Sequence, residues 1–182
     1  MIKKLRVAIF GGSFNPPHLA HQFIAKKALE ELDVDLLLIV PAYQNPFKSK
    51  SCTPPDLRLS WCKQVFSDKK MSVSSYEIDN KILYTYQTLE HFSNIYDERY
   101  LIIGAENLKD LAKWQKFEEI NDTITWIVFT RDKTELDTGL LKRYKIININ
   151  LPISSTEIRE NGVLVHIDDK IKHSVKTQLE GK

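Results

Sequence analysis

The sequence predicts an α/β fold: a Rossmann-like, doubly wound, mainly parallel sheet in one domain spanning residues 1–182. Three observations lead there. Six short apolar runs recur along the chain, helix-like stretches lie between most of them, and several runs are near-continuously apolar. Strands of a parallel sheet are buried on both faces, so they lose the in–out alternation of a half-solvated sheet. Strands alternating with helices then imply crossover connections and a doubly wound sheet. A chain of 182 residues fits a single domain and can bury roughly 70% of its unfolded surface.

The elements follow in order. Leu5–Phe10 is the first strand, and it runs into Gly11-Gly12-Ser13. Leu19–Leu32 is a helix that places Phe23, Ile24, Ala28 and Leu32 on one stripe. Leu36–Val40 is the second strand. The segment Pro41–Pro55 is long, polar and proline-bearing, which marks a candidate substrate loop. Pro54-Pro55 opens a helix through Phe66, because proline is tolerated in a first turn. Met71–Ser75 is a strand, Tyr84–Tyr96 a helix and Tyr100–Ile103 a strand. Trp114–Ile120 is a short helix, followed by strands Ile124–Phe129 and Tyr144–Ile149. Ser154 or Ser155 caps a helix that reaches Asn161, with Gly162 just past its end. Asp168–Leu179 is a last, polar helix.

Composition excludes several classes of function. The net charge is +2 and no basic run is long, so nothing argues for a nucleic-acid partner. No segment approaches the ~20 apolar residues that cross a bilayer. The apolar part of MIKKLRVAIF is too short for a signal peptide. Cys52 and Cys62 form no CxxC and read as reduced thiols of a cytoplasmic protein. Association of the chain with further copies of itself stays open.

The chemistry concentrates in Gly11-Gly12-Ser13-Phe14-Asn15-Pro16-Pro17-His18-Leu19-Ala20-His21. A buried strand feeds a glycine turn, and the turn feeds a helix. Glycine lets the backbone approach a ligand, and a helix start offers N–H groups and a positive dipole end to phosphate. His18 and His21 are three apart, so both imidazoles share a helix face. Read alone, the pair is also compatible with capping histidines. A metal site needs a third and fourth ligand, and no His/Cys cluster has that spacing, so no resident metal is expected. Ser154, Ser155 and Thr156 with Arg159 are either a helix cap and a surface charge or a second anion site.

GGSFNPPHLAH resembles the signature of the bacterial nicotinate-nucleotide adenylyltransferases, in the nucleotidyltransferase superfamily marked by (H/T)xGH. Ile153-Ser154-Ser155-Thr156-Glu157-Ile158-Arg159 is similar to the superfamily's ISSTxIR. Ile102-Ile103-Gly104-Ala105-Glu106-Asn107-Leu108, with Trp114 after it, resembles the GAD…W segment of the nicotinate branch. The three lie in family order and cover nearly the whole chain.

The resemblance implies roles. His18, His21 and Arg159 are the catalytic groups; they stabilise charge in transfer of the adenylyl group and are not nucleophiles. Gly11, Gly12, Ser13, Phe14, Ser154, Ser155, Thr156 and Glu106 bind ATP. Asn15, Lys48, Tyr84, Thr85 and Trp114 bind nicotinate mononucleotide. Trp114 stacks on the pyridine ring, and donors of the YTxxT-like Tyr84, Thr85 and Thr88 hold its carboxylate. Arg58 is a further candidate phosphate contact beside Lys48. Mg²⁺ is the expected cofactor, held mainly by the phosphates of ATP. ATP and nicotinate mononucleotide are the expected partners, with deamido-NAD and pyrophosphate as products in NAD biosynthesis. Alternative readings are the same transfer to nicotinamide mononucleotide or phosphopantetheine, and a nucleotide-binding sensor without turnover.

The chain departs from the family pattern at four places. Ala20 stands for a glycine, Glu106 for an aspartate, and Phe47 for a histidine in the PPHK-like Asn45-Pro46-Phe47-Lys48. Thr130-Arg131-Asp132-Lys133 lacks the proline and glycine of the family's RPG. Glu77 and Asp79 lie just upstream of the Tyr84 helix and matter to acceptor choice if they turn inward.

Overall fold

Six parallel strands form one sheet in the order β3-β2-β1-β4-β5-β6. They are β1 (Arg6–Gly12), β2 (Leu36–Pro41), β3 (Met71–Val73), β4 (Glu98–Gly104), β5 (Thr125–Thr130) and β6 (Tyr144–Asn148). All six lie where apolar runs place them, and every pairing is parallel. The structure is a computed structural model that describes residues 4–44, 53–130, 136–149, 153 and 155–181. Among these, no helix is long and apolar enough to cross a membrane.

The helices are α1 (Leu19–Glu31), α2 (Pro55–Val65), α3 (Tyr76–Asp79), α4 (Thr85–Ser93), α5 (Phe117–Thr123), α6 (Ser155–Asn161) and α7 (Asp169–Glu180). A 3₁₀ segment, Ala105–Lys113, joins β4 to the loop before α5. Neither it nor α3 is predicted from the sequence, because α3 is too short for a periodicity and Ala105–Lys113 carries mixed charge. The helix expected over Trp114–Ile120 therefore begins later, at Phe117.

The sheet divides the core in two, as the strand period of two requires. Ala8, Phe10, Leu37, Ile39, Ile102, Ile127 and Phe129 face α1, α2, α6 and α7. Val7, Ile9, Leu38, Val40, Leu101, Ile103, Trp126 and Val128 face α4, the 3₁₀ segment and α5. Each fully buried side chain of this size contributes about 1.5–3 kcal/mol. The stripe of α1 keeps Ile24 and Ala28 in the core, but Phe23 is 43% exposed. The buried face of that helix is instead completed by Ala20 and Ala25.

Strand order reverses between β1 and β4. From β1 the chain winds out through β2 to β3; from β4 it winds the other way to β6. Such a reversal opens a crevice past the C-terminal strand ends, where ligands of doubly wound sheets bind. Phe10 pairs with Ile102, so the same register carried forward sets Gly12 beside Gly104. Gly11-Gly12 and Gly104-Ala105-Glu106 thus meet at the mouth of one crevice.

Candidate active site

The strand does not stop before the glycines. Gly11 and Gly12 belong to β1 and pair with Val40 and Pro41, and neither has a positive φ. The expected glycine turn is therefore made elsewhere: Phe14 turns the chain, with φ of 45°. Gly12 is needed for space. A Cβ there would sit 3.2 Å from the Phe14 ring, while a Cβ on Gly11 would meet nothing within 4 Å.

Phe14 itself is 1% exposed. Its ring packs edge-on to Phe10 at 5.3 Å, His21 at 5.0 Å and Phe66 at 5.7 Å. The Phe14 side chain is thus a floor for His21. The ring belongs to the core cluster, where a large aromatic side chain buries most surface.

His18 is the N-cap of α1 and is 2% exposed. Its ring stacks on that of His21, with centroids 3.8 Å apart and planes 30° apart. The His18 backbone N–H donates to His21 Nδ1 at 3.2 Å. That bond sets the tautomer of neutral His21: Nδ1 accepts, so the proton sits on Nε2. His21 then presents an N–H donor on its far side. Ala20, at the position of the family glycine, is fully buried in the core.

The second motif closes on this loop from 139 to 144 residues away in sequence. Ser155 Oγ donates to the Pro16 carbonyl at 3.0 Å. Arg159 Nη1 donates to the Asn15 carbonyl at 2.6 Å, and its Nη2 to Thr156 Oγ1 at 3.1 Å. Between them, Ile158 is 1% exposed and anchors α6 in the core. Gly162 ends α6 with φ of +64° and donates its N–H to Ile158, as a left-handed helix stop requires. Serine, threonine, arginine and two histidines so gather around one turn. Lys48 and Ser154 lie outside the described residues, as do Phe47 and Arg131 to Lys133.

Arg58 is not a phosphate contact. It is 2% exposed, and its guanidinium donates to three main-chain carbonyls: Ser13 at 2.6 Å, Tyr43 at 2.9 Å and Thr53 at 3.4 Å. Burial lowers its affinity for the proton. The planar fork suits several carbonyls at once, so it staples the phosphate loop to the segment after β2. No local sequence signal marks such a hub, because its three partners come from three separate segments.

At β4, Glu106 is exposed and opens the 3₁₀ segment. Its carboxylate folds back over Gly104, where any Cβ would collide with it. Trp114 caps that segment, half-buried, with its ring edge-on to Trp126 at 6.1 Å. Tyr84 is the N-cap of α4; its N–H donates to Gln87 Oε1 at 3.3 Å. Gln87 thus supplies the reaching-back half of a capping box, without a Ser or Thr at the N-cap. Tyr86 of α4 lies under Lys116 Nζ, 4.8 Å from the ring centre, which brings α4 and the Trp114 loop together.

Thr88 departs from expectation. It is 2% exposed, and its hydroxyl donates to Glu77 Oε1 at 2.7 Å, so that proton is taken up within the protein. Glu77 turns inward, whereas Asp79 stays exposed and accepts from Ser75 Oγ at 2.6 Å. Burial pushes the Glu77 carboxyl up to about 7, against the pull of Thr88, Arg58 and the Tyr43 N–H.

The family described as cytidylyltransferase-like matches residues 9–161. A protein of Sulfurovum sp. (strain NBC37-1), named "Probable nicotinate-nucleotide adenylyltransferase", is 49% identical over 181 residues, covering 98% of this chain and 96% of its own. A protein of Aliarcobacter butzleri (strain RM4018) with the same name is 38% identical over 182 residues, covering 98% and 99%. Among solved structures, a nicotinic acid mononucleotide adenylyltransferase of Plasmodium falciparum complexed with NaAD shares the fold. Its TM-score is 0.73 at 22% identity, covering 95% of this chain and 89% of that one.

Proposed function

We propose that this chain, which belongs to the cytidylyltransferase-like family and within it to the nicotinate-nucleotide adenylyltransferases, transfers the adenylyl group of ATP to nicotinate mononucleotide. A 5′-phosphate oxygen of the mononucleotide forms a bond to the α-phosphorus of ATP. The bond from that phosphorus to the β-phosphate oxygen breaks in line. Pyrophosphate leaves with the bonding pair, and deamido-NAD forms.

One observation carries the reading: Arg159 donates to the Asn15 carbonyl, so the two charge-bearing motifs share one site. Transfer between phosphates asks mainly for positioning and for cover of the growing charge. His21 offers Nε2–H, because its Nδ1 is engaged by the His18 main chain. Arg159 is a fixed charge with a planar donor fork, held by Asn15 and Thr156. Ser155, anchored on Pro16, fixes α6 against the loop.

On the acceptor side, the start of α4 at Tyr84 and Thr85 supplies donors for a carboxylate, and half-buried Trp114 supplies a stacking face. Glu106 reaches the same crevice from β4 and is proposed to contact the ATP ribose. Lys48 is proposed as a phosphate contact from the loop after β2. Mg²⁺ enters with ATP as its phosphate-bound counter-ion; the described residues offer no cluster of three or more His, Cys, Asp or Glu for a metal. The cytoplasm is the proposed place of action, in keeping with cysteines spaced as isolated thiols.

Pyrophosphate release tests this, with MgATP alone and then with nicotinate mononucleotide, nicotinamide mononucleotide or phosphopantetheine. Release that depends on nicotinate mononucleotide is expected. Release with another acceptor only reassigns the acceptor half, and ATP binding without release from any mixture leaves a nucleotide-binding protein.

A further inference from the structure

Between the phosphate loop and the acceptor helix runs a chain of part-buried polar contacts that continues past the Arg58 staple to Glu77 and Thr88, for which no role is assigned above. Ala42 donates its N–H to the Gly12 carbonyl at 2.9 Å. The next peptide, Tyr43, is held at both ends: its carbonyl accepts from Arg58 Nη2 at 2.9 Å, and its N–H points to the Glu77 carboxylate. Arg58 Nη1 also holds the Ser13 carbonyl at 2.6 Å. Glu77 in turn accepts the Thr88 hydroxyl at 2.7 Å. Thr88 lies one turn into α4, on the face three residues on from Thr85.

We propose that Glu77 is a positioning residue for the acceptor: through Thr88 on one side and the Tyr43 peptide on the other, it sets α4 at a fixed distance from the phosphate loop held by Arg58. Glu77 touches neither substrate. It joins the element assigned to the pyridine carboxylate with the element assigned to the transferred phosphate. An acceptor mononucleotide must satisfy both at once, whereas ATP is held by the phosphate loop and α6 and does not need α4. The inference rests on the acceptor assignment above.

Three features favour this over mere packing. The carboxyl lies among groups that satisfy it one by one, and an apolar side chain would serve packing better at less desolvation cost. Its partners come from three separate segments, so it reports on their relative position. Threonine donates here although an isolated helix would be as well served by any helix former at that position.

The test is a double-mutant cycle on the full chain with Glu77→Ala, Thr88→Val and both together, read by steady-state kinetics and by calorimetric binding of nicotinate mononucleotide. Each single variant is expected to raise the KM for the mononucleotide at least about tenfold. The KM for ATP should stay within about twofold, and the double variant should be no worse than the poorer single one. Thr88→Ser keeps the hydroxyl and should recover most of the loss. Glu77→Gln keeps the shape and one acceptor, and serves where Glu77→Ala does not fold. Equal rises in both KM values, additive effects, or no rescue by serine would overturn the proposal. Wild-type protein that binds the mononucleotide, with a Glu77 variant that binds it equally, overturns this inference alone. Wild-type protein that does not bind it overturns the acceptor assignment and this inference with it.

Discussion

His21 shows how much a single hydrogen bond decides. With Nδ1 accepting from the His18 main chain, its proton sits on Nε2, and its ring rests on a floor made by Phe14. Replacement of His18 or His21 by alanine is expected to lower kcat at least about a hundredfold while circular dichroism stays native, since each removes cover for transition-state charge. Near-normal turnover in either folded variant removes the role. Arg159→Lys keeps the charge but loses the fork that grips Asn15 and Thr156 together. ATP titration by calorimetry should show several-fold weaker binding, and unchanged affinity makes Arg159 a surface charge only. Arg58→Ala acts differently. It leaves the Ser13 and Tyr43 carbonyls without their donor in a buried place, so urea unfolding should show a loss of about 2–4 kcal/mol.

At the scale of elements, α3 and α4 carry a pH dependence. The Glu77 carboxyl holds its proton up to about 7 in the folded protein, against an ordinary value of 4.5, with burial as the main cause. The folded state therefore binds this proton more tightly than the unfolded chain. The stability it confers is full below about pH 4.5 and falls as pH rises toward about 7. Thermal unfolding of Glu77→Gln should lack this decline, so the gap in Tm between the variant and the wild type should widen in the variant's favour across that window. A gap that does not change with pH shows that the carboxyl is not desolvated. The strands were legible element by element, because a run such as Val7-Ala8-Ile9-Phe10 must be buried on both faces whatever its neighbours do. Element ends were less so. Parallel pairing with Val40 and Pro41 carries β1 through Gly11 and Gly12, two residues that by themselves announce a turn.

For the whole molecule, the switch in strand order fixes where the crevice opens, and the proposed acceptor site sets which mononucleotide is expected to react. A carboxylate and an amide on the pyridine ring differ by a charge and by donor capacity. On the proposed reading, donors at the start of α4 favour the carboxylate, and Glu77, which turns inward nearby, is engaged by Thr88 and Tyr43. The kcat/KM for nicotinate mononucleotide is expected to exceed that for the amide by at least roughly a hundredfold, measured at equal MgATP. Equal rates would move the chain to the amide-using branch and leave the ATP half standing. The doubly wound sheet, the helix capped by His18 and the motif that ends at Arg159 are all readable from the chain. Each is written in local terms: apolar period, caps, and residue types at short spacing. That the Phe14 ring underlies His21, that Arg58 staples two loops, and that the Thr88 hydroxyl goes to Glu77 came from tertiary packing alone. Those roles depend on which distant carbonyl, ring or carboxylate a side chain finds after folding, and no spacing within one segment encodes that partner.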